Sequence, residues 1–297
     1  MRTIDVHGYL TRLGLDDIPG PPSSELLFAL HRAHVERVAY EGLHAQFGDP
    51  ASIDPTASVE RIAAGRGGYC FHLNGAFAAL LEHLGFHVTR HAGGVQPRFE
   101  DPPGVLGNHL ALTVRVDARD WFVDVGLGDG IYEPLPLRAG VYDQGPFSYA
   151  LAPSDVVPGG WRFTHDPRGS FPRMDFARET TEMDAFAEKH EWLSTSPESS
   201  FVRTCAILRR DAKGTDSLTG CALRRIDASG ETTTYLTTER DWYAAVADVF
   251  GLPLTDLTPE DRHKLWDRVH ATHLDWEAAR AARTTERERA TQGTDNR

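Results

Sequence analysis

Arg66-Gly67-Gly68-Tyr69-Cys70-Phe71-His72-Leu73-Asn74 is the stretch that decides how this chain reads. Two adjacent glycines permit a sharp turn. Beyond it Phe77, Leu80, Leu81 and Leu84 repeat at helical spacing until Gly85. Cys70 is therefore delivered to the start of an apolar helix. Unpaired amides and the positive end of the helix dipole favour a thiolate there and offer a cradle for an oxyanion. A lone cysteine before a helix is ordinarily a packed small hydrophobe. The glycine turn and the residues that follow shift the reading towards a nucleophile.

After Phe86 the apolar period changes from helical to two. His109 opens the alternation Leu110, Leu112, Val114, Val116, and Trp121 to Val125 answers as an antiparallel partner. If Asp117-Ala118 forms the turn, Val116 faces Arg119 and Ala111 faces Asp124. His109 then lies on the same face as Asp124, a diagonal step of roughly 7–8 Å. A one-residue slip would put them on opposite faces. Asp124 sits within an apolar run, where a carboxylate is costly without a partner. A carboxylate behind an imidazole fixes its tautomer and stabilises the imidazolium. The order Cys70, His109, Asp124 points to acyl transfer through an enzyme thioester. A Cys-His-Asp amidase or peptidase obeys the same logic and stays open at this stage.

The 297 residues suffice for a sizeable core and two or three structural units. No apolar run is long enough to span a bilayer, and Met1 to His7 lacks a secretory signature; cytoplasmic residence is expected. Cys70, Cys205 and Cys221 are odd in number and widely spaced, unlike a disulfide framework or zinc site. A formal net charge of −12 argues against nucleic acid or anionic membranes as partners. It also means that a polyanionic ligand needs an amide-lined or locally basic pocket. His31 and His34 are three apart on a helix without a third ligand, and Gly85 interrupts His83, His87 and His91; no metal is expected. Gly126-Leu127-Gly128-Asp129-Gly130 lacks the lysine of a nucleotide loop and reads as a tight bend or a close approach of ligand to backbone.

Helices are expected from Leu26 to Val38, Val59 to Ala64, Asp241 to Phe250 and Pro259 to His270. Thr258-Pro259-Glu260-Asp261 forms a capping box for the last of these. Short strands are expected at His87–His91, Tyr149–Leu151 and Trp161–Phe163, with Gly- and Pro-rich turns between them. Phe201–Leu208, Cys221–Ile226 and Thr232–Leu236 complete a third unit.

Three segments together resemble the signatures of the arylamine N-acetyltransferase family: Arg66 to Asn74, the His109 strand, and Trp121 to Gly128. Ile4-Asp5 with Tyr9-Leu10 and Arg12-Leu13-Gly14 is similar to the family's opening. Val38 to Leu43 is similar to its Pro-Phe-Glu-Asn-Leu segment, and Trp192 to Pro197 with Ser200 to Val202 to its entry into the third domain.

The resemblance implies an α+β fold: an N-terminal helical bundle (1–88), a β-barrel (89–205) and an α/β lid (206–280), around a cysteine-protease-like core. A flexible polar tail (281–297) follows. It also implies acetyl-CoA as acyl donor and arylamines or arylhydrazines as acceptors, with a homodimer as one admissible assembly. By position, Cys70 is the nucleophile, His109 the base and Asp124 its orienter. Tyr40, Phe71, Leu127 and Phe201 would line the acceptor pocket, and Gly126, Leu127 and Gly128 would approach the coenzyme. His72 stands where the family commonly has Glu, Leu127 where an aromatic is common and Gly42 where Asn is usual. Asp129 replaces a small residue and is expected to set a negative charge near the coenzyme. An amide synthase of the ansamycin type shares the fold and is the nearest alternative.

Overall fold

The computed structural model describes residues 4–15, 20–48 and 50–294, with side chains through residue 282. Its first part is helical: α1 (Val6–Leu13), α2 (Ser24–Arg37), α3 (Leu43–Gln46), α4 (Pro55–Ala63) and α5 (Cys70–His83). Local chemistry sets the boundaries. Ser23 Oγ accepts the Leu26 amide at the start of α2, and Asp54 accepts the Thr56 and Ala57 amides ahead of Pro55 at α4. Helix α5 is buried almost all round, from Cys70 to Leu81, so it runs through the core rather than over it. It stops before Gly85, whose φ of +88° continues no helix.

An eight-stranded antiparallel sheet follows: β2 (His87–Gln96), β3 (His109–Val116), β4 (Arg119–Val123), β5 (Leu135–Pro136), β6 (Gly140–Gln144), β7 (Phe147–Pro153), β8 (Trp161–Thr164) and β9 (Arg173–Phe176). Strand β1 (Tyr40–Glu41) lies apart, in the other sheet. The order β5-β4-β3-β2-β9-β8-β7-β6 curls until its ends approach, where Tyr142 of β6 donates to the Pro136 carbonyl of β5 at 3.4 Å. This nearly closed barrel is filled by stacked rings, Phe122 on Phe176 and Tyr149 on Phe163. Strand β2 runs on through Gly93 and Gly94, past the expected end at His91. At Gly94 the loop after β2 presses so close that a Cβ would lie 1.9 Å from the Gly104 carbonyl. Asp117 and Ala118 both take positive φ, and Val116 pairs with Arg119 and Leu112 with Val123. The expected hairpin register is therefore the observed one.

The rest of the chain comprises α6 (Ala187–Thr195), α7 (Ser200–Arg203), β10 (Ala206–Arg210), β11 (Gly214–Thr219), β12 (Ala222–Asp227), β13 (Gly230–Tyr235), α8 (Glu239–Asp248) and α9 (Pro259–Thr294). The expected strand Phe201–Leu208 is corrected. Ser199 caps a helical turn over its first part, and the strand starts at Ala206. Helix α9 continues far beyond His270 to Thr294, while 295–297 of the expected tail lie outside the described residues. No helix among the described residues is long and apolar enough to cross a membrane.

Strand β1 joins the distant parts. Tyr40 pairs with Leu208 and Glu41 with Ile207, so a segment from the helical part completes the sheet β1-β10-β11-β12-β13. The Glu41 amide donates to Gly68 at 2.9 Å, and the buried Glu41 carboxylate accepts from Arg61 (2.8 Å) and the Leu43 amide (2.6 Å). Arg61 Nε also donates to the Gly67 carbonyl at 2.7 Å. Burial would raise the Glu41 pKa, but Arg61, then Arg66 and His44, hold it down at about 2. The glycine turn before Cys70 is thus clamped by a buried ion pair. Behind it, Tyr69 is packed against His44, His72 and His190 with ring centroids 5.3, 4.7 and 5.9 Å away.

Two expectations follow from this packing. Glu41→Gln leaves Arg61 without its countercharge and is expected to cost about 3–5 kcal/mol in urea unfolding, the range for breaking a buried pair; unchanged stability would show that the clamp is dispensable. Burial lowers the pKa of His44 to about 4, that of His72 well below the ordinary value, and that of His190. The unfolded chain therefore binds protons first, and stability falls as pH drops below about 6.5. His44 alone should contribute on the order of 3 kcal/mol of loss by about pH 4, measured as the urea midpoint against pH and relieved in His44→Phe.

Candidate active site

Cys70 is the first residue of α5 and only 4% exposed. The amides of His72 and Leu73 turn back to the Tyr69 carbonyl, which leaves those of Cys70 and Phe71 outside the helix's own bonding. The Cys70 thiol faces the Asn108 carbonyl at 3.5 Å. That carbonyl is fixed because the Asn108 amide exchanges two hydrogen bonds with the Val95 backbone, at 2.8 and 2.9 Å.

His109, the next residue, opens β3, and its Nε2 donates to Asp124 Oδ2 at 2.7 Å. The hairpin register carries Asp124 one step past β4, opposite Ala111, as its spacing in the sequence requires. The other ring nitrogen, Nδ1, is left for Cys70. Burial opposes a charge on His109, but Asp124 and then Cys70 outweigh it and push its pKa up to about 10. An imidazole with that proton affinity is a base able to take the thiol's proton.

Asn74 completes the arrangement. It sits one turn along α5 from Cys70, on the same face. Its Nδ2 donates to Asp124 Oδ1 (2.8 Å) and to the Leu110 carbonyl (2.6 Å), and its Oδ1 accepts the Val125 amide (2.9 Å). The Gly126 amide gives Asp124 Oδ1 a second donor at 2.9 Å. One helix thus begins with Cys70 and, through Asn74, holds the carboxylate that orients the His109 ring. Asn74 and Asn108 went unused in the sequence reading. The i, i+4 spacing of Cys70 and Asn74 was a legible signal; Asn108 had none.

The loop after Asp124 differs from expectation. At Gly126 a Cβ would lie 2.8 Å from the Cys70 Cα, and at Gly128 it would lie 3.1 Å from the Tyr40 Cβ. These glycines let the loop pack between α5 and β1, so close contact with the protein itself explains them. Asp129 does not project as a charge towards a ligand. It is 7% exposed and accepts the Ser170 amide (2.7 Å) and hydroxyl (2.8 Å), with His165 at 3.5 Å. Burial opposes both charges, but each partner favours the other's, so His165 is raised and Asp129 lowered. Tyr149 donates to the neighbouring Gly130 carbonyl at 2.8 Å, and the buried Arg210 reaches the same oxygen at 3.3 Å.

Tyr40 and Phe201 come together beside the site, with Tyr69 stacked on Phe201 at 4.8 Å. Leu127 belongs to the barrel's apolar cluster. Phe71 exposes no surface and packs on Phe186 and Tyr69. His31 and His34 diverge: His31 faces the Tyr132 and Asp124 carbonyls, and His34 Nδ1 shares a 2.8 Å hydrogen bond with the Tyr9 hydroxyl. Arg98 is paired with Asp101.

Comparison with known proteins identifies the family. A family model described as N-acetyltransferase matches residues 24–258. The arylamine N-acetyltransferase of Mycolicibacterium smegmatis is 32% identical over 279 residues, covering 87% of this chain and 95% of that protein. The solved structure of Mycobacterium marinum arylamine N-acetyltransferase in complex with CoA matches with a TM-score of 0.79 at 25% identity, covering 90% of this chain and 99% of that one. Proansamycin X synthase of Amycolatopsis mediterranei is similar over a shorter stretch, 34% identical over 149 residues, or 48% of this chain and 56% of that protein. With a family model across most of its length and a relative matched nearly end to end, the chain belongs to the arylamine N-acetyltransferase family.

Proposed function

We propose that this protein transfers an acetyl group from acetyl-CoA to arylamines or arylhydrazines through an acetyl-cysteine at Cys70. The observation that carries the reading is the buried His109–Asp124 pair at 2.7 Å, one ring nitrogen away from a thiol at a helix start. His109 takes the Cys70 proton, and the thiolate attacks the thioester carbonyl carbon, whose π electrons move onto oxygen. The tetrahedral species collapses, the C–S bond to coenzyme A breaks, and His109 returns a proton to the leaving thiolate. The amine then attacks acetyl-Cys70, neutral His109 accepts the amine proton, and collapse frees the Cys70 thiolate. Arylamines suit the second half because they are neutral near pH 7, whereas alkylamines are protonated there. Tyr40, Phe201 and Leu127 supply the acceptor wall, with Phe71 backing it from the core. Asp129 is turned inwards to Ser170 and His165 and is not presented as an open charge beside the site.

Intact-mass measurement after mixing with acetyl-CoA tests the reading. One acetyl group should add to the wild type and none to Cys70→Ala; an adduct that persists without the thiol sinks it. Steady turnover of a simple aniline separates this activity from that of a macrolactam-forming amide synthase. Asp124→Asn removes the acceptor that orients His109 and should slow acylation by about 10⁴-fold, the scale for a wrong imidazole tautomer. Near-normal acylation in that variant would leave Asp124 a purely structural role.

A further inference from the structure

Gly42 stands where the family usually has asparagine, and its backbone gives no reason for a glycine. Its φ of −118° is negative, so no left-handed conformation requires one. It directly precedes α3, a position where asparagine is among the preferred caps, yet no side chain caps this helix. Space supplies the reason. A Cβ built on Gly42 would lie 2.9 Å from Phe201 Cδ1 and 3.7 Å from Cγ and Cε1, its three nearest neighbours. Any side chain there would overlap the edge of the Phe201 ring.

The ring is held from several sides. The Phe201 amide donates to Ser199 Oγ at 3.2 Å, and its carbonyl accepts from Gln46 at the end of α3. Arg268 fixes the next carbonyl, that of Val202, at 2.7 Å. One face of the ring stacks on Tyr69 with centroids 4.8 Å apart, and Tyr40 lies 6.3 Å away. Tyr69 directly precedes Cys70, so the ring leans on the neighbour of the nucleophile. Helix α3 therefore sets Phe201 twice, its main chain through Gln46 and its ring through the gap at Gly42. Phe201 is only half-buried. With Tyr69 against its face and Gly42 at its edge, a displaced ring can yield only away from α3, into the cleft.

We propose that Gly42 is a positioning residue for acceptor specificity: its missing side chain lets the Phe201 ring retreat against α3, which opens the site to bulky arylamines. This rests on the reading of Phe201 as part of the acceptor wall. Gly42 itself touches no substrate and acts through the ring alone. Packed side chains transmit a methyl-sized change because there is no free volume to absorb it. A side chain at position 42 pushes the ring outward and takes that volume from the acceptor. A narrow aniline has room to spare, whereas an arylamine with a branched para substituent does not. Discrimination in an apolar pocket moves by about 10- to 200-fold for one methylene.

Gly42→Ala and Gly42→Asn test this, with kcat/KM measured for aniline and for 4-tert-butylaniline at saturating acetyl-CoA. In a ping-pong scheme that quantity reports the second half-reaction alone. The ratio of the two values should shift about 10-fold against the bulky amine, chiefly through its KM. Acetylation of Cys70, followed by rapid-quench intact mass, should keep its wild-type rate. A merely structural defect lowers both acceptors together and leaves the ratio unmoved. In a Phe201→Ala background, Gly42→Ala should no longer change the ratio. An unchanged ratio in the single variants, or a shift that persists without the ring, overturns the proposal. No acetyl adduct on the wild type would instead sink the acetyl-cysteine reading, and a wild-type ratio in Phe201→Ala would sink the acceptor-wall reading.

Discussion

The Asp124 carboxylate holds this site together. One oxygen takes the His109 ring, and the other takes the Asn74 amide and the Gly126 backbone. Its neighbours come from a hairpin of the barrel, the helix that begins with Cys70 and the loop that runs towards β1. A buried carboxylate left without those donors would carry its full desolvation penalty. That penalty makes the arrangement mutual: the barrel cannot shift against the helix without leaving Asp124 unsatisfied. The distance between a sulfur in one part of the chain and an imidazole in another is thereby fixed without any direct covalent link.

Close approach is the second constraint. Gly126 admits the Cys70 backbone and Gly128 the Tyr40 ring, at separations where a methyl group would collide. Glu41 and Arg61 clamp the turn from the opposite side through the Gly67 and Gly68 carbonyls. The turn that leads into Cys70 is therefore gripped by glycine packing on one flank and by a buried ion pair on the other. Such rigidity suits a reaction whose barrier depends on donors being in place before charge develops.

Buried charge is handled locally throughout. Asp129 is answered by His165 and Ser170, and Arg210 is surrounded by carbonyls and the face of Phe147. Arg210 lies on β10 yet donates to Gly130 and Gln144 of the barrel, so it couples the two sheets. A strongly acidic chain can therefore keep its site free of excess negative charge, because the carboxylates nearest the thiol each have a donor or a cation beside them.

Much of this was written in local sequence. The glycine turn, the apolar stripe after Cys70, and the Asp117-Ala118 turn fixed a helix start and a hairpin register, since both follow from backbone sterics and periodicity within a few residues. Placing His109 on the same face as Asp124 needed nothing more. Distant partners were not legible: Tyr40–Glu41 completing a sheet with β10, Asn108 presenting its carbonyl to the thiol, Asp129 turning inwards to His165. The strand expected from Phe201 failed for the same reason. Ser199 caps a turn there, while Gln46 and Arg268 from far along the chain take the Phe201 and Val202 carbonyls. Periodicity reports which face of an element is apolar, whereas which polar atom meets which is decided only when separate elements share one interior and every buried donor must find an acceptor.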